Sequence, residues 1–259
     1  MDKKEERGDM EWYQMLLIAL IAFGASFVQS TTGFGFGIVA MIFLPNLLLY
    51  TEANVLSTAL SVFTSSVVVV TMFRLTSWRN LLFPILGSVL SNYLAVSFLK
   101  SAKNDLLMLM LGSALFLLSI YFFFFSGKIK IRPTWYAGLI AGVISGAMNG
   151  LFSIGGPPVV IYYLQSEEDT DHYLATISAY FVLSGLFSVG MKAAAGFVTT
   201  NVGMGLLLGI VGMLGGALVG RGIRRATNPK WIRKAVYGVM AVSGLINVVT
   251  SVISLCEKG

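Results

Sequence analysis

Residues 29–37 read Gln-Ser-Thr-Thr-Gly-Phe-Gly-Phe-Gly, and residues 149–158 read Asn-Gly-Leu-Phe-Ser-Ile-Gly-Gly-Pro-Pro. Each stretch lies inside a long segment without any charged residue, yet glycine and proline are the residues that interrupt helices. The sequence therefore predicts a helix break at both places. A shift of 120 residues aligns the two stretches, with Gln29 on Asn149, which suggests that the chain contains two related halves.

The composition around these stretches is that of a membrane protein. Of the 259 residues, 56% are hydrophobic and only 12% are charged, and the mean hydropathy is +0.81. Soluble domains carry about 25% charged residues, so a water-soluble domain is excluded. The formal net charge of +6 reflects basic loops that attract anionic lipid, and no nucleic-acid partner is predicted.

Gaps between charged residues predict the number of helices, because a charge inside the bilayer costs about 3 kcal/mol or more. Two gaps are long, at residues 12–51 and 133–166, and each is followed by three gaps of 20 to 28 residues. A helical crossing needs about 20 residues. Each shorter gap therefore holds one helix, and each long gap holds a broken helix.

The predicted fold class is an all-α polytopic membrane protein of two inverted repeats. Each repeat is a glycine-broken helical hairpin plus three transmembrane helices, which gives 8 to 10 membrane segments. The predicted boundaries are an extracytoplasmic tail at 1–11; a first repeat at 12–127, with a broken helix at 12–50 and helices at 54–73, 81–99 and 105–126; a cytoplasmic linker at 128–133; and a second repeat at 134–256, with a broken helix at 134–166 and helices at 172–192, 199–220 and 234–256.

Basic residues in the short loops predict the orientation, since Lys and Arg are retained on the cytoplasmic side. Three loops, at residues 74–79, 128–132 and 221–234, hold 11 of the 18 basic residues. All three lie inside the cell only if each long gap enters and leaves the membrane on one face. That arrangement inverts the second half and places both termini outside the cytoplasm. A single crossing in each long gap is the less favoured alternative, with parallel halves.

Irregular backbone at membrane depth requires protein or a watery cavity around its amides and carbonyls, so the two breaks predict a shared polar centre. In inverted-repeat transporters, the N-termini of broken helices face the substrate with unpaired N–H groups and a positive dipole end. Such an end suits an anion. The second helical arms are expected near Gly37 and at residues 157–158. Positive φ is expected at four glycines: Gly33, Gly35, Gly155 and Gly156.

Neutral hydrogen-bonding side chains surround both turns, and no Arg or Lys is expected among them. Glycine in membrane helices also marks close packing, which is the alternative for any single position, but the pairing of the breaks favours a site. The candidate substrate-binding residues are Gln29, Ser30, Thr31, Thr32, Gly33, Gly35, Phe36, Gly37, Asn149, Gly150, Ser153, Gly155, Gly156 and Pro157, with Thr58 and Thr176 from the helices that follow.

Catalysis and metal binding find little support in the sequence. Cys256 is the only cysteine and His172 the only histidine, so neither a disulfide nor a metal cage can be assembled, and no cofactor is expected. Ser153 is the one imaginable nucleophile, but a serine without an adjacent base is weak. No enzymatic activity is therefore predicted. A buried carboxylate relay is not expected either, because the charge-free gaps contain no Asp or Glu.

At the two motifs the chain resembles the TauE/SafE family, also called the four-toluene-sulfonate uptake permease family or sulfite exporters. The resemblance covers essentially the full length and rests on residues 32–37 followed by Pro45, on Gly150 with residues 155–157, and on the duplicated layout. It implies a multi-pass permease of the plasma (inner) membrane for a small sulfur-containing anion such as sulfite, a sulfonate or sulfoacetate. Phe36 departs from the commoner Gly-Gly-Gly form, which bears on substrate identity.

Transport by alternating access is the predicted mechanism, with one half rocking against the other around the paired turns. An anion channel without coupling is the alternative. Both H⁺ and Na⁺ stay open as coupling ions. Export is favoured because an anion leaves the cell down the membrane potential, which is worth about 2.3 kcal/mol per charge per 100 mV. The oligomeric state is left open.

Overall fold

The computed structural model describes residues 11–125, 131–167, 169–224 and 229–258, and every regular element within these ranges is helical. The helices are α1 (Trp12–Thr32), α2 (Phe36–Phe43), α3 (Tyr50–Met72), α4 (Trp78–Ser101), α5 (Asn104–Phe125), α6 (Trp135–Phe152), α7 (Gly156–Ser166), α8 (Thr170–Ala194), α9 (Thr200–Arg224) and α10 (Pro229–Lys258). Residues 1–10 of the predicted tail, 128–130 of the predicted linker and 225–228 of the last basic loop lie outside the described residues.

Eight of these helices, all except α2 and α7, are long and apolar enough to cross a membrane. Large apolar side chains cover the outside of the bundle: Leu20, Leu90 and Leu207 are 59%, 65% and 71% exposed. Apolar surface on this scale requires a hydrocarbon solvent. The predicted all-α polytopic membrane protein is therefore confirmed, with two short helices that follow the predicted breaks.

Two helix pairs, α1 with α9 and α4 with α6, pack closely because glycines let the backbones approach. In the first pair, a Cβ at Gly212 would collide with the Ala19 carbonyl, and a Cβ at Gly216 would collide with the Phe23 carbonyl. From the first contact to the second, the residue number increases by four in both helices. Helices α1 and α9 therefore run in the same direction.

Helices α4 and α6 form the equivalent pair. A Cβ at Gly142 would collide with the Pro84 carbonyl, and a Cβ at Gly146 would collide with the Ser88 carbonyl. These two helices therefore also run in the same direction. In chain order, α1 and α6 are the first helices of the two predicted halves, and α4 and α9 are the fourth. Each pair therefore joins the first helix of one half to the fourth helix of the other.

The direction of α3 connects the two pairs. Leu56 lies against Gly205 and Leu60 lies against Gly209, so α3 runs with α9 and hence with α1. The short connection at residues 73–77 then reverses the chain into α4. Helices α1 and α6 consequently run in opposite directions through the bundle.

Candidate functional site

The first break follows α1. Gly33 has a φ of 85° and Gly35 a φ of 105°, and α2 begins at Phe36. Only glycine takes such angles without steric cost. The Gly33 N–H donates to the Gln29 carbonyl at 2.8 Å and closes the last turn of α1. The prediction of positive φ is confirmed at this break.

The second break is built differently. Ser153, with a φ of 59°, ends α6 in the left-handed conformation, which is uncommon for a residue other than glycine. Gly155 has a φ of −79° and Gly156 is the first residue of α7, and neither has a positive φ. The prediction of positive φ at these two glycines is therefore wrong. Ser153 already reverses the backbone, so the residues after it enter α7 from ordinary conformations.

Glycine at 155 is explained by space. A Cβ there would lie 2.9 Å from the Asn149 Cβ and 3.1 Å from the Ser145 carbonyl oxygen. Both distances are shorter than ordinary van der Waals contacts. Gly155 therefore allows the turn to fold back onto α6.

The two breaks lie against each other. A Cβ at Gly37 would collide with the Ser153 carbonyl oxygen, so the first turn of α2 touches the end of α6. A Cβ at Gly156 would lie 3.3 Å from the ring of Phe34, so the start of α7 touches the first break. The chain therefore brings two irregular segments, 120 residues apart, to one place.

Two adjoining cavities, here called the central cavity, lie between the breaks. The empty space in and in front of them is about 270 and 320 Å³. Four residues border both parts: Ser61, Asn149, Gly155 and Phe181. The remaining wall residues are Gln29, Gly35, Phe36, Gly37, Ile38, Thr58, Ser145, Ser153, Ile154, Gly156, Tyr180, Ser184 and Gly185.

Most of the predicted site residues lie at this cavity. Those in its wall are Gln29, Gly35, Phe36, Gly37, Thr58, Asn149, Ser153, Gly155 and Gly156. Ser30 and Gly33 line a separate cavity described below. The structure does not place the other five in the central wall: Thr31, Thr32, Gly150, Pro157 and Thr176.

Those outlying side chains have other contacts. The hydroxyls of Thr31 and Thr32 each donate to the Val28 carbonyl one turn back, both at 2.9 Å. The Thr176 Oγ1 accepts from the N–H of Ser77 at 3.0 Å, at the start of α4. Gly150 packs on Ala95, whose Cβ would lie 2.5 Å from an added Cβ, and Pro157 is buried in the first turn of α7.

Gln29 separates the central cavity from a second one. Its Nε2 donates to Ser65 Oγ at 2.7 Å, and its Oε1 accepts from Ser61 Oγ at 3.4 Å. Gln29 also borders another cavity, with about 430 Å³ of empty space in and in front of it. That cavity is lined by hydroxyl side chains and by Arg221, a residue of the predicted cytoplasmic loop. We call it the Arg221 vestibule.

A lysine lies beside the central cavity, contrary to the prediction that no Arg or Lys would be embedded there. Lys192 is fully buried. Its Nζ donates to Thr58 Oγ1 at 2.7 Å and to the Asn149 carbonyl at 3.3 Å. The charge-gap pattern treated Lys192 as the end of a span, whereas α8 continues to Ala194. The sequence did contain a signal for this. Lys192 is a solitary lysine at the predicted extracytoplasmic end of its helix, and an apolar stretch follows it.

Ser145 and Phe181 were also missed. The Tyr180 hydroxyl donates to Ser145 Oγ at 2.8 Å, and Ser145 Oγ donates to the Gly155 carbonyl. Ser145 and Asn149 are four residues apart and share one face of α6, and Ser153 follows four residues later, at the turn that ends the helix. That spacing is the sequence signal that extends the second motif backwards.

Acidic residues lie at the margins of the spans. Glu52 is in the first turn of α3 and buried, which differs from the expectation of no acid within a span. Its Oε1 accepts from Thr199 Oγ1 at 2.6 Å and its Oε2 from the Leu49 N–H at 3.2 Å. Both oxygens are thus engaged in fixing the helix start. Among the residues that the structure describes, no group of His, Cys, Asp and Glu could hold a metal ion.

Comparison with known proteins agrees with this architecture. A family model described as Sulfite exporter TauE/SafE matches residues 18–246. The chain is similar to a probable sulfite/organosulfonate exporter TauE of Cupriavidus necator, with 25% identity over 235 residues that cover 86% of this chain and 89% of the relative. No solved structure matches the chain significantly. The family match confirms the resemblance seen at the two glycine motifs.

Proposed function

The chain belongs to the TauE/SafE family of sulfite exporters, and we propose that it carries a small sulfur-containing anion, of the sulfite or organosulfonate class, across the plasma membrane. The family is one of membrane transporters and not of enzymes. The substrate class is suggested by the name of the C. necator relative. The observation that carries the proposal is the contact between the two helix breaks around a polar cavity.

The start of α2 supplies the hydrogen-bond donors. The first N–H groups of a helix have no partner within that helix, and the positive end of the helix dipole favours an anion. Phe36, Gly37 and Ile38 all border the central cavity. An oxyanion bound there would accept from these N–H groups and from the side chain of Asn149.

The packing supports inverted repeats and hence a rocking mechanism. Helices α1 and α6 run in opposite directions, and the α1–α9 and α4–α6 pairs correspond between the halves. In transporters with such repeats, the site lies at the interface of the halves and is exposed to each side in turn. We infer that Gln29, held by α3, closes the path between the central cavity and the Arg221 vestibule in this conformation.

Flux measurements in liposomes test the carrier mechanism. We expect saturable sulfite uptake and faster uptake when the liposomes are preloaded with sulfite. A linear, electrodiffusive flux without exchange would overturn the carrier and leave an anion channel. Imposed H⁺ and Na⁺ gradients in the same liposomes distinguish the two coupling ions.

Substitution of Asn149 tests the site. Loss of one neutral hydrogen bond costs about 0.5 to 1.5 kcal/mol, so Asn149→Ala should weaken sulfite binding about 2- to 10-fold. The matched control is Asn46→Ala, because Asn46 is an exposed amide outside the central cavity. Equal sulfite-induced thermal shifts in the wild type and Asn149→Ala would contradict the site. Preferential stabilisation by carboxylates or phosphate would contradict the sulfur-anion assignment.

A further inference from the structure

Lys192 stands out as a fully buried basic side chain in an apolar bundle. It lies two residues before the end of α8 and is fully enclosed by protein. Its two acceptors, Thr58 Oγ1 and the Asn149 carbonyl oxygen, are both uncharged. Buried ionic groups in membranes are unfavourable unless paired, and they mark functional sites by default.

No carboxylate pairs with this lysine in the described part of the chain. The ion pair found there joins His172 and Asp169 at the surface. The nearest acid on α3 is Glu52, whose two oxygens accept from Thr199 and from the N–H of Leu49. An ammonium buried without a counter-ion is strongly unfavourable, and an anion beside it would restore the pairing.

The polar surroundings of Lys192 are incompletely satisfied. An ammonium has three donors, and the two hydrogen bonds above use two of them. Within one helical turn of Thr58 or Lys192, three polar atoms are buried with no hydrogen-bond partner among the described residues: Asn54 Oδ1, Ser57 Oγ and Ser188 Oγ. A spare donor on Lys192 and unpartnered polar atoms on the same two helices leave capacity for a polar guest.

The cation connects directly to the cavity wall. Thr58 Oγ1, which accepts from Lys192, also lies 2.8 Å from Ser153 Oγ. Thr58 and Ser153 both border the central cavity. Ser153 owes its position to the left-handed turn that ends α6. The second break thus places a hydroxyl between the buried cation and the cavity.

We propose that Lys192 is the countercharge of the transported anion. An oxyanion in the central cavity accepts from the Ser153 hydroxyl and is paired with the ammonium behind it, while the N–H groups at the start of α2 hold its remaining oxygens. Thr58, whose own hydroxyl donates to the Asn54 carbonyl, accepts from Lys192 and holds the ammonium next to Ser153. This rests on the proposed function, because it requires an anionic cargo.

The test is sulfite binding to the purified full chain, measured by calorimetry at constant pH. Lys192→Met keeps the length of the side chain and removes its charge, whereas Lys192→Arg keeps the charge. A hydrogen bond to a charged group is the strong kind, so Lys192→Met should raise the sulfite Kd about 10- to 100-fold. Lys192→Arg should recover part of this loss. Lys100→Met, which removes an exposed lysine, should bind like the wild type.

A second variant keeps the test decisive if Lys192→Met does not fold. Thr58→Val retains the shape of the side chain and the lysine but removes the hydroxyl between them, and it should raise the sulfite Kd several-fold. Wild-type affinity in either folded variant overturns the proposal. Unchanged binding in Lys192→Met together with weak binding in Asn149→Ala refutes the countercharge and leaves the proposed function standing. A wild type that binds neither sulfite nor an organosulfonate refutes both.

Discussion

Gly37 is the position where one added methyl group tests whether the two helix breaks must touch. In Gly37→Ala the new Cβ would collide with the Ser153 carbonyl oxygen. The Ser153 carbonyl belongs to a tight backbone turn, so it cannot rotate away as a side chain can. Overpacking of this kind costs about 1 to 3 kcal/mol, and the better helix propensity of alanine returns only about 1 kcal/mol.

We therefore expect Gly37→Ala to lower the free energy of unfolding by up to about 2 kcal/mol. Sulfite flux should fall more steeply than stability, because separation of the breaks moves the start of α2 away from Ser153. A misplacement of about 1 Å at a binding centre can cost a factor of about 100 in rate. The assays are thermal unfolding in detergent and initial sulfite flux in liposomes.

The matched control is Gly24→Ala. Gly24 is also a helical glycine of the first half, but no atom lies within 4 Å of an added Cβ. This substitution should raise stability by about 0.5 to 1 kcal/mol and leave flux unchanged. Wild-type stability and flux in Gly37→Ala would refute the close contact between the breaks, and equal losses in both variants would show that the contact is not the cause.

Two further substitutions test the transport path at Gln29 and the stability of the helix cap at Asp169. Gln29→Ala removes the side chain that Ser61 and Ser65 hold between the central cavity and the Arg221 vestibule, so passive sulfite leak should rise and counter-flow should fall; unchanged exchange would contradict a barrier at Gln29. Asp169 caps α8, and the N–H groups of His172 and Asp171 lower the pKa of its carboxyl. Because the pKa of Asp169 is lower in the folded state, its carboxylate stabilises the fold fully above the ordinary aspartate pKa. This stabilisation is lost as the pH falls through the lowered pKa. The stability difference between the wild type and Asp169→Asn should therefore shrink in acid, below the ordinary aspartate pKa of about 3.9; a difference that persists undiminished in strong acid would contradict this cap.

The membrane spans and breaks were predictable because their causes are local. Charge is excluded from hydrocarbon wherever a span lies, and the glycines at 33 and 35 are needed for backbone angles that no distant contact has to supply. Helix α1 accordingly ends at Thr32, directly before the first glycine of the predicted break. The inverted relation of the halves stays a prediction that the helix directions support.

The residues that were missed depend on tertiary packing. Lys192 reaches Thr58, which is 134 residues away in the chain, and no pattern along α8 announces that contact. Thr176 is the opposite case. The sequence placed it at the site together with Thr58, but its hydroxyl accepts a hydrogen bond from Ser77 at the start of α4. Ser153 could be placed at the break but not in the left-handed conformation, since its neighbours Gly155 and Gly156 were the better candidates for positive φ.

The two breaks differ in what they can offer an anion. The start of α2 contains Phe36, Gly37 and Ile38, and each has an N–H group. The start of α7 contains Pro157 and Pro158, and proline has none. An anion between the breaks would therefore take most main-chain hydrogen bonds from the first half, while the second half supplies Lys192. The two halves of the chain would thus give the bound anion two partners of different chemistry, main-chain donors from one half and a lysine from the other.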